Sequence, residues 1–112
     1  MLIKTGTDLI FIPRFKKSLQ NGGETFLKRV FLSDELNNQQ LEHLAGIFAA
    51  KEAVMKALDL PKDSWQDIQI AYTRNGAPKV QFLTSHILSL TSNLSISHDG
   101  DYVIAQFVAL VE

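Results

Sequence analysis

Leu94–Ser95–Ile96–Ser97–His98–Asp99–Gly100–Asp101–Tyr102–Val103–Ile104–Ala105–Gln106–Phe107–Val108–Ala109–Leu110–Val111 is the stretch that decides the fold. Leu94 to His98 alternates like a strand, Asp99–Gly100 supplies turn chemistry, and Tyr102 to Val111 returns, so the segment reads as a β-hairpin. The return strand is apolar on both faces, interrupted only by Gln106. One face of an antiparallel sheet in a small domain is normally wet, so this strand calls for cover on both sides, from helices or from a second subunit.

Working outward, Ile68 to Thr73 and Lys79 to Leu83 flank Asn75–Gly76 and predict another hairpin. Thr84 to Asn93, between the hairpins, reads as helix. Upstream, a long helix is predicted over about Leu41 to Leu58, stopping before Leu60–Pro61. Ser33, followed by Asp34 and Glu35, is a helix start. Leu2 to Ile10 reads as a strand with a glycine at its centre. Pro13 suits the first turn of a helix whose buried side is Phe15 and Leu19, and Asn21–Gly22–Gly23 ends it. A short helix over roughly Glu24 to Phe31 follows. Helices early and hairpins late predict an α+β fold, helices packed on a largely antiparallel sheet.

The chain has 112 residues, no cysteine and a net charge of −1. This length, with no repeat, linker or low-complexity tract, predicts one domain over 1–112 whose core needs no disulfide or metal staple. Missing cysteine excludes a disulfide scaffold, a Cys-ligated zinc site and a Cys nucleophile. The charge balance argues against a polybasic nucleic-acid binder. The longest apolar run, Tyr102 to Val111, is about half a membrane span, and the opening residues lack a signal-peptide pattern, so no membrane partner is expected and a cytoplasmic location is compatible. The charge is uneven: residues 1–31 hold six basic groups against Asp8 and Glu24, and the remainder holds five basic against ten acidic.

Three places can carry chemistry. In Phe48–Ala49–Ala50–Lys51–Glu52–Ala53–Val54–Met55–Lys56–Ala57 the predicted helix is apolar nearly all round except for Lys51, Glu52 and Lys56. Glu52 and Lys56 fall about 40° apart on one face. A carboxylate on a largely buried helix is paired or cation-bound, and the flanking alanines admit a backbone or ligand. The alternative is an ordinary (i, i+4) ion pair. Asp8 stands at the end of the first strand behind Gly6, where something approaches the backbone closely; capping the next helix is its alternative role. His98 ends a strand beside a turn, either as a surface residue or as a phosphate donor near neutral pH. Asp8 and Glu52 as hard oxygen ligands suit Mg²⁺ better than zinc. Mg²⁺ with substrate phosphates points to phosphoryl-type chemistry, with Lys56 neutralising the transferring group.

Gly6–Thr7–Asp8 followed by Arg14, and Phe48 to Ala57, resemble the G-x-D-x-x-x-x-x-R and F-A-A-K-E-A-x-x-K-A segments of holo-[acyl-carrier-protein] synthases, the small bacterial 4′-phosphopantetheinyl transferases. Trp65–Gln66–Asp67–Ile68, Asn75–Gly76–Ala77–Pro78 and Ser95–Ile96–Ser97–His98 follow in that family's order. The resemblance implies transfer of 4′-phosphopantetheine from coenzyme A to a serine of apo-acyl carrier protein, releasing adenosine 3′,5′-bisphosphate, in cytoplasmic fatty acid biosynthesis. It implies Asp8 and Glu52 as catalytic Mg²⁺ ligands and Lys56 as a catalytic, phosphate-contacting group. Gly76, Pro78 and His98 match positions near the nucleotide, and Arg14 matches the arginine that meets the acidic carrier protein. The serine proton goes to Glu52 or to a metal-bound water. The family is a homotrimer with sites between neighbours, which would account for the doubly apolar last strand.

The chain departs from the pattern at Ile47, where the family has Arg, in the Asn37–His43 loop, which lacks Lys and Arg, and at the short Asp59–Lys62 segment. The resemblance puts the grip on coenzyme A phosphates at these places, so weakened coenzyme A binding is expected. The alternative function is a non-catalytic relative that binds acyl carrier protein or coenzyme A; a plain structural trimer is a third. The basic helices of residues 1–31, with Arg14 and Lys17, form a candidate docking face for the carrier protein.

Overall fold

Tyr102–Val111, here β5, is the middle strand of a three-stranded antiparallel sheet in the computed structural model, which describes residues 1–84 and 90–112. Its neighbours are β1 (Leu2–Phe11) on one side and β4 (Leu90–Asp99) on the other. A second, two-stranded sheet pairs β2 (Ile68–Tyr72) with β3 (Pro78–Phe82). With the helices, this is the α+β arrangement predicted.

Helix α2 (Leu41–Leu58) lies across one face of the large sheet. Val103, Ala105, Phe107 and Ala109 point toward it and are buried, while Tyr102, Ile104, Val108 and Leu110 point the other way and are exposed. Of the covers expected for the last strand, α2 supplies the one over the face of Val103, Ala105, Phe107 and Ala109. Small residues let the helix come close. Gly46 sits against Ile96 and Val103, and a β-carbon on Gly6 would fall 1.9 Å from the carbonyl oxygen of Ala53.

Helix α1 (Ile12–Val30) follows β1, with Pro13 in its first turn and the Ile12 amide donating to the Asp101 carbonyl at 2.7 Å. The helical run breaks at Gly23, whose φ of 54° lies in the left-handed region. The two predicted helices are thus two helical stretches meeting at that glycine. Phe15, Phe26, Phe48 and Trp65 stack in sequence, with Phe48 and Trp65 rings 5.2 Å apart and nearly parallel, and this row fastens α1 to α2.

One prediction needs correction. Leu90–Asn93 was expected to be helical but opens β4, paired with Val111 through Val108 of β5, because cross-strand hydrogen bonds outweigh local preference. The rest of that expected helix, 85–89, lies outside the described residues. The predicted hairpin around Asn75–Gly76 forms, its turn running from Thr73 to Ala77, with Thr73 and Gly76 amides bonded within the loop and Gly76 at φ 86°. Among the described residues no helix is long and apolar enough to cross a membrane.

Candidate active site

Asp8 lies inside β1, opposite Ala105, and is 9% exposed on the helix-facing side of the sheet. It is not a helix cap: Phe11 precedes α1, and no side chain bonds that terminus. Its Oδ1 accepts a hydrogen bond from Lys56 Nζ at 2.8 Å, and the same ammonium donates to the Thr7 carbonyl at 3.1 Å. Its Oδ2 is buried with no partner. Glu52, half-buried one turn before Lys56, faces this pair. Burial raises its pKa above the usual carboxylate value, the Asp8 charge adds to the rise, and the Lys56 ammonium opposes it.

The Lys56 ammonium therefore bonds Asp8 of another element, and the (i, i+4) pair with Glu52 is not formed. The ammonium thus serves Asp8 alone, and the other Asp8 carboxylate oxygen remains buried and unsatisfied. A buried acceptor without a donor is costly, and a hard cation would satisfy it. Among the described residues no group of three His, Asp or Glu side chains assembles. A cation held by this pair would need water or substrate oxygens to complete its shell. Glu52 and Lys56 open onto a cavity of about 440 Å³ walled by Met55, Asp59, Leu60, Lys62 and Trp65.

The wall containing Trp65 is fixed by a device the sequence reading did not find. Lys51 and Glu35 form an ion pair of 2.6 Å with both side chains fully buried. Lys51 Nζ also donates to the carbonyls of Val30 at 2.8 Å and Trp65 at 3.0 Å, using all three of its protons. Glu35 accepts the Leu32 amide on Oε1 and the Ile70 amide on Oε2, each at 2.8 Å. Burial pushes the Lys51 ammonium's pKa down while Glu35 holds it up. Lys51 was visible as a charge on an apolar helix, and such a charge demands a carboxylate. Which carboxylate is set by the 3₁₀ turn Ser33–Asn37, sixteen residues away.

Gly76, Pro78 and His98 come together as expected, but not with Asp8. With Glu42, His43 and Tyr72 they line a second cavity of about 290 Å³ that shares no wall residue with the first. Glu42 and Glu52 mark the two cavities on α2, and ten residues of helix place them about 15 Å apart along the axis. His98 Nδ1 lies 3.6 Å from Glu42 Oε2.

Arg14 and Lys17 are exposed on α1, Arg14 over the Phe11 ring at 5.6 Å. Arg14 also borders an apolar cleft of about 140 Å³ with Phe15, Phe26 and Phe48. Ile47 is fully buried, so that position contributes nothing to a surface grip on phosphate.

Residues 4–107 match the family model of the 4′-phosphopantetheinyl transferase superfamily. A curated holo-[acyl-carrier-protein] synthase of Dehalococcoides mccartyi is 38% identical, the alignment covering 96% of this chain and 98% of the relative. The solved ACPS–CoA complex of Chronobacterium ammoniagenes superposes with a TM-score of 0.86 at 30% identity, covering 100% of this chain and 99% of that one. The Helicobacter pylori holo-[acyl-carrier-protein] synthase in complex with coenzyme A gives 0.83 at 31% identity, over 95% and 99% of the two chains.

Proposed function

Because this chain belongs to the 4′-phosphopantetheinyl transferase superfamily, among its holo-[acyl-carrier-protein] synthases, we propose that Asp8, Glu52 and Lys56 are the centre at which it transfers phosphopantetheine from coenzyme A to apo-acyl carrier protein. The observation that carries this assignment is the pair of facing carboxylates with a buried, unpartnered Asp8 oxygen beside an ammonium at the mouth of a cavity.

In the proposed reaction the carrier's serine oxygen bonds to the phosphorus bearing pantetheine. The bond from that phosphorus to the bridging oxygen breaks, and adenosine 3′,5′-bisphosphate leaves. Asp8 and Glu52 are the residues that would hold Mg²⁺, which would supply charge neutralisation to the phosphate oxygens when bound. Glu52, half-buried at the wall of the cavity beside Lys56, is the proposed acceptor of the serine proton. Lys56, half-exposed, exchanges its contact with Asp8 for the phosphates. The alternative of a non-catalytic binder loses one support, since Ile47 is interior and the carboxylate pair is complete.

The nucleotide end of coenzyme A occupies the cavity of Gly76, Pro78 and His98. Its separation from Asp8 and Glu52 favours a homotrimer in which one subunit's nucleotide cavity meets its neighbour's carboxylates. The outer face of the sheet supports this, with Ile3 70% and Leu9 60% exposed beside Ile104, Val108 and Leu110. In this proposal Arg14 and Lys17 dock the acidic carrier protein, and the reaction serves cytoplasmic fatty acid synthesis. The test is subunit mixing. Glu52→Ala and a nucleotide-cavity variant such as Tyr72→Ala, each impaired alone, should regain activity when unfolded and refolded together. No recovery, with mixed oligomers demonstrably formed, would show that each subunit is complete by itself.

A further inference from the structure

The second cavity is poor in positive charge. Among the described residues no lysine or arginine lines it; Arg74 and Lys79 lie on the flanking hairpin but not in the wall. Its ionisable members are Glu42, His43, Tyr72 and His98. Glu42 stands in the first turn of α2, so the favourable end of the helix dipole already faces a carboxylate. That carboxylate also lies 3.6 Å from His98 Nδ1. The His43 ring packs on Tyr72 with centroids 5.3 Å apart, and burial lowers its pKa although the Glu35 charge opposes this. The wall of the cavity thus offers aromatic, imidazole and amide surface and the Glu42 carboxylate, with no lysine or arginine among its described residues. A phosphomonoester there carries about −1.5 to −2 charges. The chemistry suits a purine and a ribose and does not suit a second phosphate.

Resting on the assignment of this cavity to the nucleotide end, we infer that the enzyme reads the adenosine of its donor and not the 3′-phosphate, so that 3′-dephospho-coenzyme A is a donor comparable to coenzyme A. With that donor the serine oxygen bonds to the same phosphorus, the same bridging bond breaks, adenosine 5′-phosphate leaves, and the serine proton again passes to Glu52.

The test compares kcat/KM for the two donors with the same apo-acyl carrier protein, Mg²⁺ and pH, so that effects on the carboxylate centre cancel in the ratio. The wild-type ratio should lie within about threefold of unity, the span of a weak, solvent-screened charge contact. Glu42 is exposed, so Glu42→Lys should fold normally; it reverses one charge and should raise the preference for coenzyme A about tenfold. A wild-type preference for coenzyme A above about tenfold would overturn the inference. If Tyr72→Ala then raises KM for both donors, the cavity still holds the nucleotide and only the selectivity argument fails. If neither Tyr72→Ala nor Glu42→Lys alters KM for either donor, the nucleotide lies elsewhere and the assignment fails with it.

Discussion

Gly6→Ala tests how the sheet and α2 set the distance between Asp8 and Glu52. The added β-carbon would lie 1.9 Å from the Ala53 carbonyl oxygen, 2.9 Å from its carbon and 3.0 Å from the Ala57 amide nitrogen. Side-chain carbons essentially never approach within 3.0 Å, so the helix must retreat by at least 1.1 Å. All three atoms are backbone, so no rotamer change relieves the contact. Ala53 follows Glu52, and Gly6 is two residues from Asp8 on the same sheet face, so the retreat opens the carboxylate pair itself. Overpacking of this kind costs about 1–3 kcal/mol. A displacement near 1 Å at a reacting centre costs about a hundredfold in rate. Urea unfolding and carrier-protein modification rates measure the two effects. A Gly6→Ala protein with wild-type stability and rate would refute the close approach and the positioning built on it.

Other substitutions separate the remaining parts of the account. Glu35→Gln leaves Lys51 charged and fully buried, and should cost about 3–5 kcal/mol in urea unfolding, with Glu35→Gln/Lys51→Met recovering part of it; a loss under about 1 kcal/mol would contradict the hub. The native protein holds the Glu52 proton more tightly than the unfolded chain does, so Glu52 lowers stability as pH rises through its raised pKa. Glu52→Gln should therefore stabilise the metal-free protein more near neutral pH than near pH 4, where an ordinary glutamate is already largely protonated, and equal gains at both would contradict the burial argument. Charge reversal at Arg14 and Lys17 should weaken carrier-protein binding and leave coenzyme A binding unchanged, as titration calorimetry can check; two unchanged affinities would reduce the basic face to solvated surface.

Local chemistry made much of this fold legible. Asn75–Gly76, Pro13 and the double glycine at Gly22–Gly23 each mark a turn, helix start or break through backbone constraints that act within a few residues. Leu90–Asn93 was misread because its polar run lacks alternation, and only its pairing with β5 makes it a strand. The same divide runs through the site. Asp8, Glu52 and Lys56 could be picked out singly, but the bond between Lys56 and Asp8 spans 48 positions and displaces the local pair that helical spacing suggests. The Glu35 partner of Lys51 carries no local signal, since Ser33–Asp34–Glu35 reads as a helix start. The split between the two cavities follows from their lying at opposite ends of α2, which motif order along the chain does not reveal.

The central claim is that Asp8 and Glu52 form the centre for transfer of phosphopantetheine. Intact-mass analysis of apo-acyl carrier protein, after incubation with this enzyme, coenzyme A and Mg²⁺, tests it most directly. The wild-type enzyme should add one phosphopantetheine to the carrier, and Asp8→Ala and Glu52→Ala should each abolish the gain while coenzyme A still binds. Full modification by both variants would contradict the account.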